Sequence, residues 1–257
     1  MNFSDYLLKG KKNLDKRIFF HNELTYSKLY SLVNESYFEN HLDIKNCLIG
    51  ICINDPAKFI TAYLSIIKDN NIAIILEKGL PAPRYLELLN KFKINFFITD
   101  DITVTNELEN NKDYILKNDK FSFFKLNLFS KKKSEIKKRY KYNAVSTVLF
   151  TSGTTGEKKG VMLTHKNLIS NTSAILKILP IKKNDIVNLL LPTSYSFGLS
   201  VLLTHLKAGS KFFFHDSPFV GSIIQELKKY RCTSFYGVPS TFEILLNKTN
   251  FLKNKFS

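Results

Sequence analysis

The 257-residue sequence predicts an α/β fold, with largely parallel sheets flanked by helices. Two observations lead there. Short, uninterrupted apolar runs recur along the chain, the pattern of strands buried on both faces. Between them lie stretches whose apolar residues recur at helical spacing, so strands and amphipathic helices alternate.

Residues 46–56 (NCLIGICINDP) read as a buried strand and turn. A helix over 57–67 follows, with Phe59, Ile60, Tyr63, Leu64 and Ile67 at helical spacing. Residues 72–76 form a second strand. Pro81 then starts a helix carrying Tyr85, Leu88 and Leu89, and 94–99 give a third strand. Further on, 145–150 (VSTVLF), 186–191, 211–214 and 233–236 read as strands, and 220–230 as a helix. After the last strand, Phe242, Leu245 and Leu246 recur at core-facing helical spacing. The expected organisation is an extension over 1–17, an α/β subregion over 18–128, a basic variable linker over 129–144 and a second α/β subregion over 145–257.

With 44% hydrophobic residues the chain is not of the disordered class and can bury a sizeable core. No apolar run reaches the roughly 18 residues that cross a bilayer. The opening MNFSDYLLKGKK carries Asp5 and no cleavable apolar stretch, so the expected location is cytoplasmic. Cys47, Cys52 and Cys232 lack metal spacing, which leaves reduced thiols as the expectation. The net charge of +16 is densest at Lys131, Lys132, Lys133, Lys137, Lys138, Arg139 and Lys141. That cluster is short, contains Glu135, and no nucleic-acid-binding motif accompanies it; a solvated linker is the reading, and nucleic acid is not an expected partner.

The run TSGTTGEKKGV at 151–161 is the most informative segment. Gly153, Gly156 and Gly160 let a backbone turn so that several N–H groups face one anion. Ser152, Thr154 and Thr155 add hydroxyl donors, and Lys158 or Lys159 supplies the charge a polyphosphate attracts. The Walker spacing and the dinucleotide fingerprint are both absent. A plain Gly/Ser/Thr linker has this composition too, but a strand before it and VMLTHKNLI after it argue against that.

The segment resembles the phosphate loop of the adenylate-forming superfamily, which includes acyl-CoA and aryl-CoA synthetases, peptide-synthetase adenylation domains and luciferases. Those proteins read TSGTTGxPKGV, then a strand, then a helix opening near T-H-x-N; Thr164-His165-Lys166-Asn167 continues the match. Lys158 replaces the usual proline, which should loosen the loop. Glu23–Leu29 (ELTYSKL) looks like the family's opening, whereas Lys68-Asp69-Asn70-Asn71 departs from its "KAGA". Leu191–Ser200 (LPTSYSFGLS) resembles a second landmark, where a strand breaks at "LP" and an aromatic or His residue precedes "xxG". By that resemblance Tyr195 is a gate between nucleotide and acyl pocket; its alternative is a ring that simply buries itself at a strand end. Gly237-Val238-Pro239 resembles the "GVP" before a pocket-lining helix, so Gly237 and Pro239 are backbone-shaping pocket positions.

The resemblance implies an AMP-forming carboxylate ligase. ATP and a carboxylic acid would give an acyl-adenylate, and the acyl group would pass to a coenzyme A or carrier-protein thiol. Thr151, Ser152, Gly153, Thr154, Thr155, Gly156, Lys159 and Gly160 would hold the β- and γ-phosphates. The family's "YGxTE" glutamate for Mg2+, its "TGD" aspartate for ribose and its C-terminal lysine have no counterpart before Ser257. The expectation is therefore an enzyme incomplete alone, with no catalytic residue assigned here and ATP and Mg2+ as cofactors. Three readings follow: a ligase completed by a complementary polypeptide, a non-catalytic nucleotide- or partner-binding module, or a truncated gene product.

Overall fold

The computed structural model describes residues 1–117, 126–131, 144–152, 158–214, 220–249 and 251. Met1–Lys9 with Leu29–Ile169 form one compact unit, and Gly10–Lys28 with Ser170–Ser257 a second.

Along the chain, α1 (Phe3–Leu8), α2 (Tyr26–Asn34) and α3 (Tyr37–Leu42) precede β1 (Leu48–Cys52). Then come α4 (Pro56–Lys68), β2 (Ile72–Ile75), α5 (Ala82–Lys91), β3 (Phe96–Thr99) and α6 (Ile102–Asn110). Next are β4 (Tyr114–Lys117), β5 (Asn127–Lys131), β6 (Val145–Ser152), β7 (Lys158–Thr164) and α7 (His165–Ile178). The strands of the first unit form one sheet in the order β4-β5-β3-β1-β2-β6-β7. Its centre is parallel, with β1 between β2 and β3 and β6 beside β2, while β4, β5 and β7 join antiparallel at the edges. Every position of β2 and β3 is buried, as uninterrupted apolar runs in a parallel core require. The expected α/β class is what the chain adopts, with antiparallel strands at both edges of its large sheet.

Local chemistry explains the element boundaries. Asp55 accepts from the Ala57 and Lys58 amides at 2.7 and 3.0 Å, and Pro56 opens α4, so the helix has both an N-cap and a preset first turn. Asp101 caps α6 in the same way through Thr103 and Val104. Helix α4 is buried nearly all round, which marks it as a central element. Its Tyr63 hydroxyl lies 2.9 Å from Thr147 Oγ1 of β6, both residues being fully buried. Helix α1, to which the sequence assigned no element, buries Phe3 and Leu7, and its Ser4 hydroxyl donates to Leu64 O.

The turn after α4 replaces the family glycine by side-chain chemistry. Asn70 takes the left-handed conformation (φ 56°), which asparagine tolerates better than most residues. Asn71 accepts from the Cys47 amide and donates to Ile44 O, each at 3.0 Å. Asp69 accepts from the Phe38 and Glu39 amides at the start of α3. Cys47, Cys52 and Cys232 are all free thiols, and burial pushes the Cys52 pKa up to about 11.

The second unit contains β8 (Ile186–Asn188), α8 (Ser196–Ala208), β9 (Lys211–Phe213), α9 (Val220–Lys229), β10 (Ser234–Phe235) and α10 (Pro239–Lys248). Its strands form a parallel sheet in the order β10-β8-β9. Phe19 bridges to Phe212 alongside β9. Helix α8 ends at Gly209 (φ 91°), whose amide and that of Ser210 both return to His205 O, an αL cap open to glycine at little cost. Lys16 Nζ donates to the Gly209 carbonyl at 2.9 Å.

Three expectations are corrected. The strand expected over 186–191 stops at Asn188, because Leu191–Ser196 turn into α8 instead of extending. On α10 only Leu245 is buried; Phe242 and Leu246 are 37% and 47% exposed, since that stripe is broader than the face it packs with. Phe129–Lys131, expected in the basic linker, complete β5, which lies between β3 and β4, and the rest of the cluster from Lys132 to Lys141 lies outside the described residues. Among the described residues, no helix is long and apolar enough to cross a membrane.

Candidate functional site

The run singled out in the sequence spans the β6–β7 hairpin. Its register is fixed by Phe150 facing Gly160, Thr151 facing Lys159 and Ser152 facing Lys158. Gly153, Thr154, Thr155 and Gly156 lie in the connection, outside the described residues. Because β6 runs parallel to β1 and β2, that connection leaves the sheet at the carboxyl edge of the parallel strands. Ligands of open α/β sheets bind at this edge. Thr151 and Lys159 are exposed there, facing each other in register.

Lys158, which stands where the resemblance places proline, opens β7 and pairs with Glu77 at 2.7 Å. The side chains are 22% and 37% exposed. Glu77 follows β2, and its carbonyl accepts from the hydroxyl of the fully buried Tyr85 at 2.8 Å. The expected loosening of the loop therefore meets an ionic tie.

Gly160 serves differently from the expectation. It sits in extended β7 and is absent from the positive-φ glycines of the described residues. What it provides is closeness: an added Cβ would approach Val148 Cγ1 to 3.1 Å and the rings of Phe150 and Phe92 to 3.7 and 3.8 Å. These groups, with Met162, line a cleft of about 460 Å³.

The T-H-x-N segment is a helix start. The Thr164 amide and hydroxyl both donate to Asn167 Oδ1, at 3.0 and 2.7 Å, while the Asn167 amide donates to Thr164 Oγ1 at 3.1 Å. This reciprocal pairing is a capping box with asparagine at its third position. His165 Nδ1 accepts from the Phe3 amide at 3.1 Å. Burial, followed by the charge of the N terminus, holds its pKa below the ordinary 6.5.

Tyr195, Gly237 and Pro239 belong to the second unit. Tyr195 is the N-cap residue of α8 rather than the end of a strand, and the residue is 48% exposed. The glycine of that landmark, Gly198, has no room at all: an added Cβ would lie 2.3 Å from Pro192 O and 2.7 Å from Leu191 O. Gly237 is also tight, with Thr241 Cβ at 3.0 Å from such a Cβ, and Pro239 occupies the first turn of α10. Tyr236, just before this segment, reaches His205 Nε2 at 3.3 Å. His205 is fully buried, and its Nδ1 lies 2.9 Å from Val201 O. A carbonyl can only accept, so Nδ1 carries the proton and Nε2 accepts from the Tyr236 hydroxyl. Burial lowers the His205 pKa.

Sequence reasoning missed Glu77, Gly198 and His205. Gly198 was visible as the landmark's final glycine, whereas Glu77 and His205 gave no sequence signal. Among the described residues, no group of three or more His, Cys, Asp or Glu could hold a metal ion. Among the described residues of the hairpin, exposed Thr151 and Lys159 offer a hydroxyl donor and a cation, groups that bind phosphate oxygens.

The sequence profile described as AMP-binding enzyme matches residues 9–257. The chain belongs to this family. Among curated members, fatty acyl-CoA synthetase B of Dictyostelium discoideum is 37% identical over 113 residues, 43% of this chain and 16% of that protein. Long-chain-fatty-acid–CoA ligase ACSBG2 of Gallus gallus is 32% identical over 129 residues, 48% of this chain and 17% of that protein. The matches thus span about a sixth of those AMP-binding enzymes. The fold resembles the N-terminal domain of FACL13 from Mycobacterium tuberculosis, with TM-score 0.77 and 16% identity over 100% of this chain and 67% of that one. It also resembles o-succinylbenzoate CoA synthetase from Bacillus subtilis, solved with the acyl-adenylate OSB-AMP, with TM-score 0.73 and 21% identity over 96% of this chain and 64% of that one. Another structure of the Bacillus enzyme holds ATP and magnesium.

Proposed function

We propose that the chain supplies the ATP-phosphate-holding part of an AMP-forming carboxylate ligase. The observation that carries the reading is the β6–β7 hairpin. It delivers a Ser/Thr/Gly connection and Lys159 to the carboxyl edge of a parallel sheet. There the hydroxyls of Thr151, Ser152, Thr154 and Thr155 and the backbone amides of the loop donate to the β- and γ-phosphates. Lys159 offsets their charge, and Gly153, Gly156 and Gly160 let the chain come close. Tyr195, Gly237 and Pro239 shape the acyl side.

A carboxylate oxygen attacks the α-phosphorus, the bond from that phosphorus to the bridging oxygen breaks, and pyrophosphate leaves with the electron pair. A thiol then takes the acyl group, releasing AMP. The hairpin holds the leaving pyrophosphate in line, so its contribution is positioning and charge neutralisation. Mg2+ would add charge neutralisation on the same phosphates. The curated relatives named as fatty acyl-CoA synthetases favour a fatty or related carboxylic acid as substrate and coenzyme A as acceptor.

The test is ATP binding by calorimetry to the parent chain and to Lys159→Ala. Losing a charge-assisted contact should weaken binding about 10- to 100-fold while the circular dichroism spectrum stays unchanged. Equal affinity in the two proteins would exclude Lys159 from the phosphate site.

A further inference from the structure

We propose that Glu77 is a positioning residue for the phosphate loop, acting through Lys158 in place of the family's proline. This inference rests on the reading of the hairpin as the phosphate site. Proline stiffens a loop through its own ring and needs no partner. Lysine at 158 has no such restraint, yet this chain restores one from outside the hairpin. The Lys158 ammonium sits 2.7 Å from Glu77 Oε2. In the sheet order β2-β6-β7, that contact reaches from the first residue of β7 to the residues after β2, across the end of β6. The tie therefore passes over the strand from which the loop departs.

Its far end is well founded. Ile75 of β2 pairs with Leu149 of β6. The Leu76 amide donates to Ile51 O at 2.9 Å, and the Glu77 carbonyl holds the hydroxyl of fully buried Tyr85. Glu77 is thus fixed by the core on its main chain and offers its carboxylate to the hairpin. Because Lys158 is engaged there, Lys159 on the opposite face of β7 is left to the phosphates. A lysine in the proline position thereby divides the labour of two adjacent cations: one anchors the loop and the next neutralises charge.

The experiment is a double-mutant cycle of E77Q and K158P with two readouts, amide hydrogen exchange of β7 without nucleotide and ATP affinity by calorimetry. Proline is compatible with the first residue of a strand, and glutamine keeps the volume of Glu77. In the parent background, E77Q should speed exchange at 159–161 and weaken ATP binding, each about two- to fivefold, the range for an ion pair of this exposure. In the K158P background, the same E77Q change should have no further effect on either. An equal E77Q effect in both backgrounds overturns the proposal, because Glu77 would then act independently of residue 158. No E77Q effect on exchange in the parent overturns it as well. The exchange arm needs no nucleotide, so a coupled exchange result in a chain that binds no ATP would refute the phosphate assignment and leave the tie standing.

Discussion

Substituting Gly198 by alanine tests how closely the chain returns on itself before α8. The added Cβ would sit 2.3 Å from Pro192 O, 2.7 Å from Leu191 O and 2.8 Å from Pro192 C. Carbon–oxygen contacts in proteins begin near 3.3 Å, so the turn and the helix must part by roughly 1 Å. All three obstacles are main chain, so no side-chain rotation relieves the clash. The strain has to spread into α8, whose Leu199, Leu202 and Leu206 are buried. Overpacking of this kind costs about 1–3 kcal/mol or more, and at about 2–4 °C per kcal/mol for a chain of this size the midpoint should fall by about 3–10 °C. Thermal unfolding followed by circular dichroism measures it. Gly221→Ala is the matched control: an exposed helical glycine with nothing within 4 Å of its added Cβ. It should raise the midpoint by about 1–3 °C through lower backbone entropy. A Gly198→Ala protein melting with or above the parent would refute the close approach of turn and helix.

Two further outcomes are expected. Asn70→Ala should lower stability by about 1 kcal/mol and Asn70→Gly should be neutral or stabilising in urea titrations, because the position is left-handed; equal loss in both would show that the Asn70 side chain, not its backbone, matters. Lowering pH from 7.5 to 5.5 should reduce the melting midpoint. His165 and His205 have folded pKa values below the ordinary 6.5, so the unfolded chain binds more protons and their contribution, full above about 6.5, is lost as pH falls. Asp69, raised by burial, acts in the opposite sense, and the two histidines set the expected direction. A midpoint that stays flat or rises over this interval would contradict the buried, neutral histidines.

Where burial is uniform or periodic, the sequence already displays the structure. The runs that became β1, β2 and β3 are apolar almost throughout because both of their faces are covered, and α5 shows Tyr85, Leu88 and Leu89 on one side. Helix α8 was missed for the converse reason: buried nearly all round, SFGLSVLLTHLKA has no polar face to reveal its period. Edge strand β4 was missed because it is partly exposed, and β5 because its buried run, Leu128–Ser130 between Asn127 and Lys131, is too short to stand out. At the hairpin, composition announced the loop, and the family resemblance placed a helix start near Thr164 and Asn167, while the cap that makes it came only with the structure. The Lys158–Glu77 contact joins positions that only the strand order brings together, so no reading along the chain could supply it. Gly160 shows the same limit, since one letter cannot distinguish a glycine needed for its φ from one needed for its missing side chain.

The division of the chain into interleaved units bears on how it is made. The second unit combines Gly10–Lys28 with residues from Ser170 onward, and Lys16 meets Gly209 from a distance of 193 positions. At about 5–20 residues per second, the ribosome leaves Gly10–Lys28 without its partners for about 10–40 seconds. During that interval Ile18 and Phe19, both fully buried in the finished protein, are on offer to any competing apolar surface. The large sheet has all its strands once Thr164 is made, but the small one waits for β10 at Ser234–Phe235. Yield in the cell should therefore depend on what shelters this early segment as well as on the stability of the final fold.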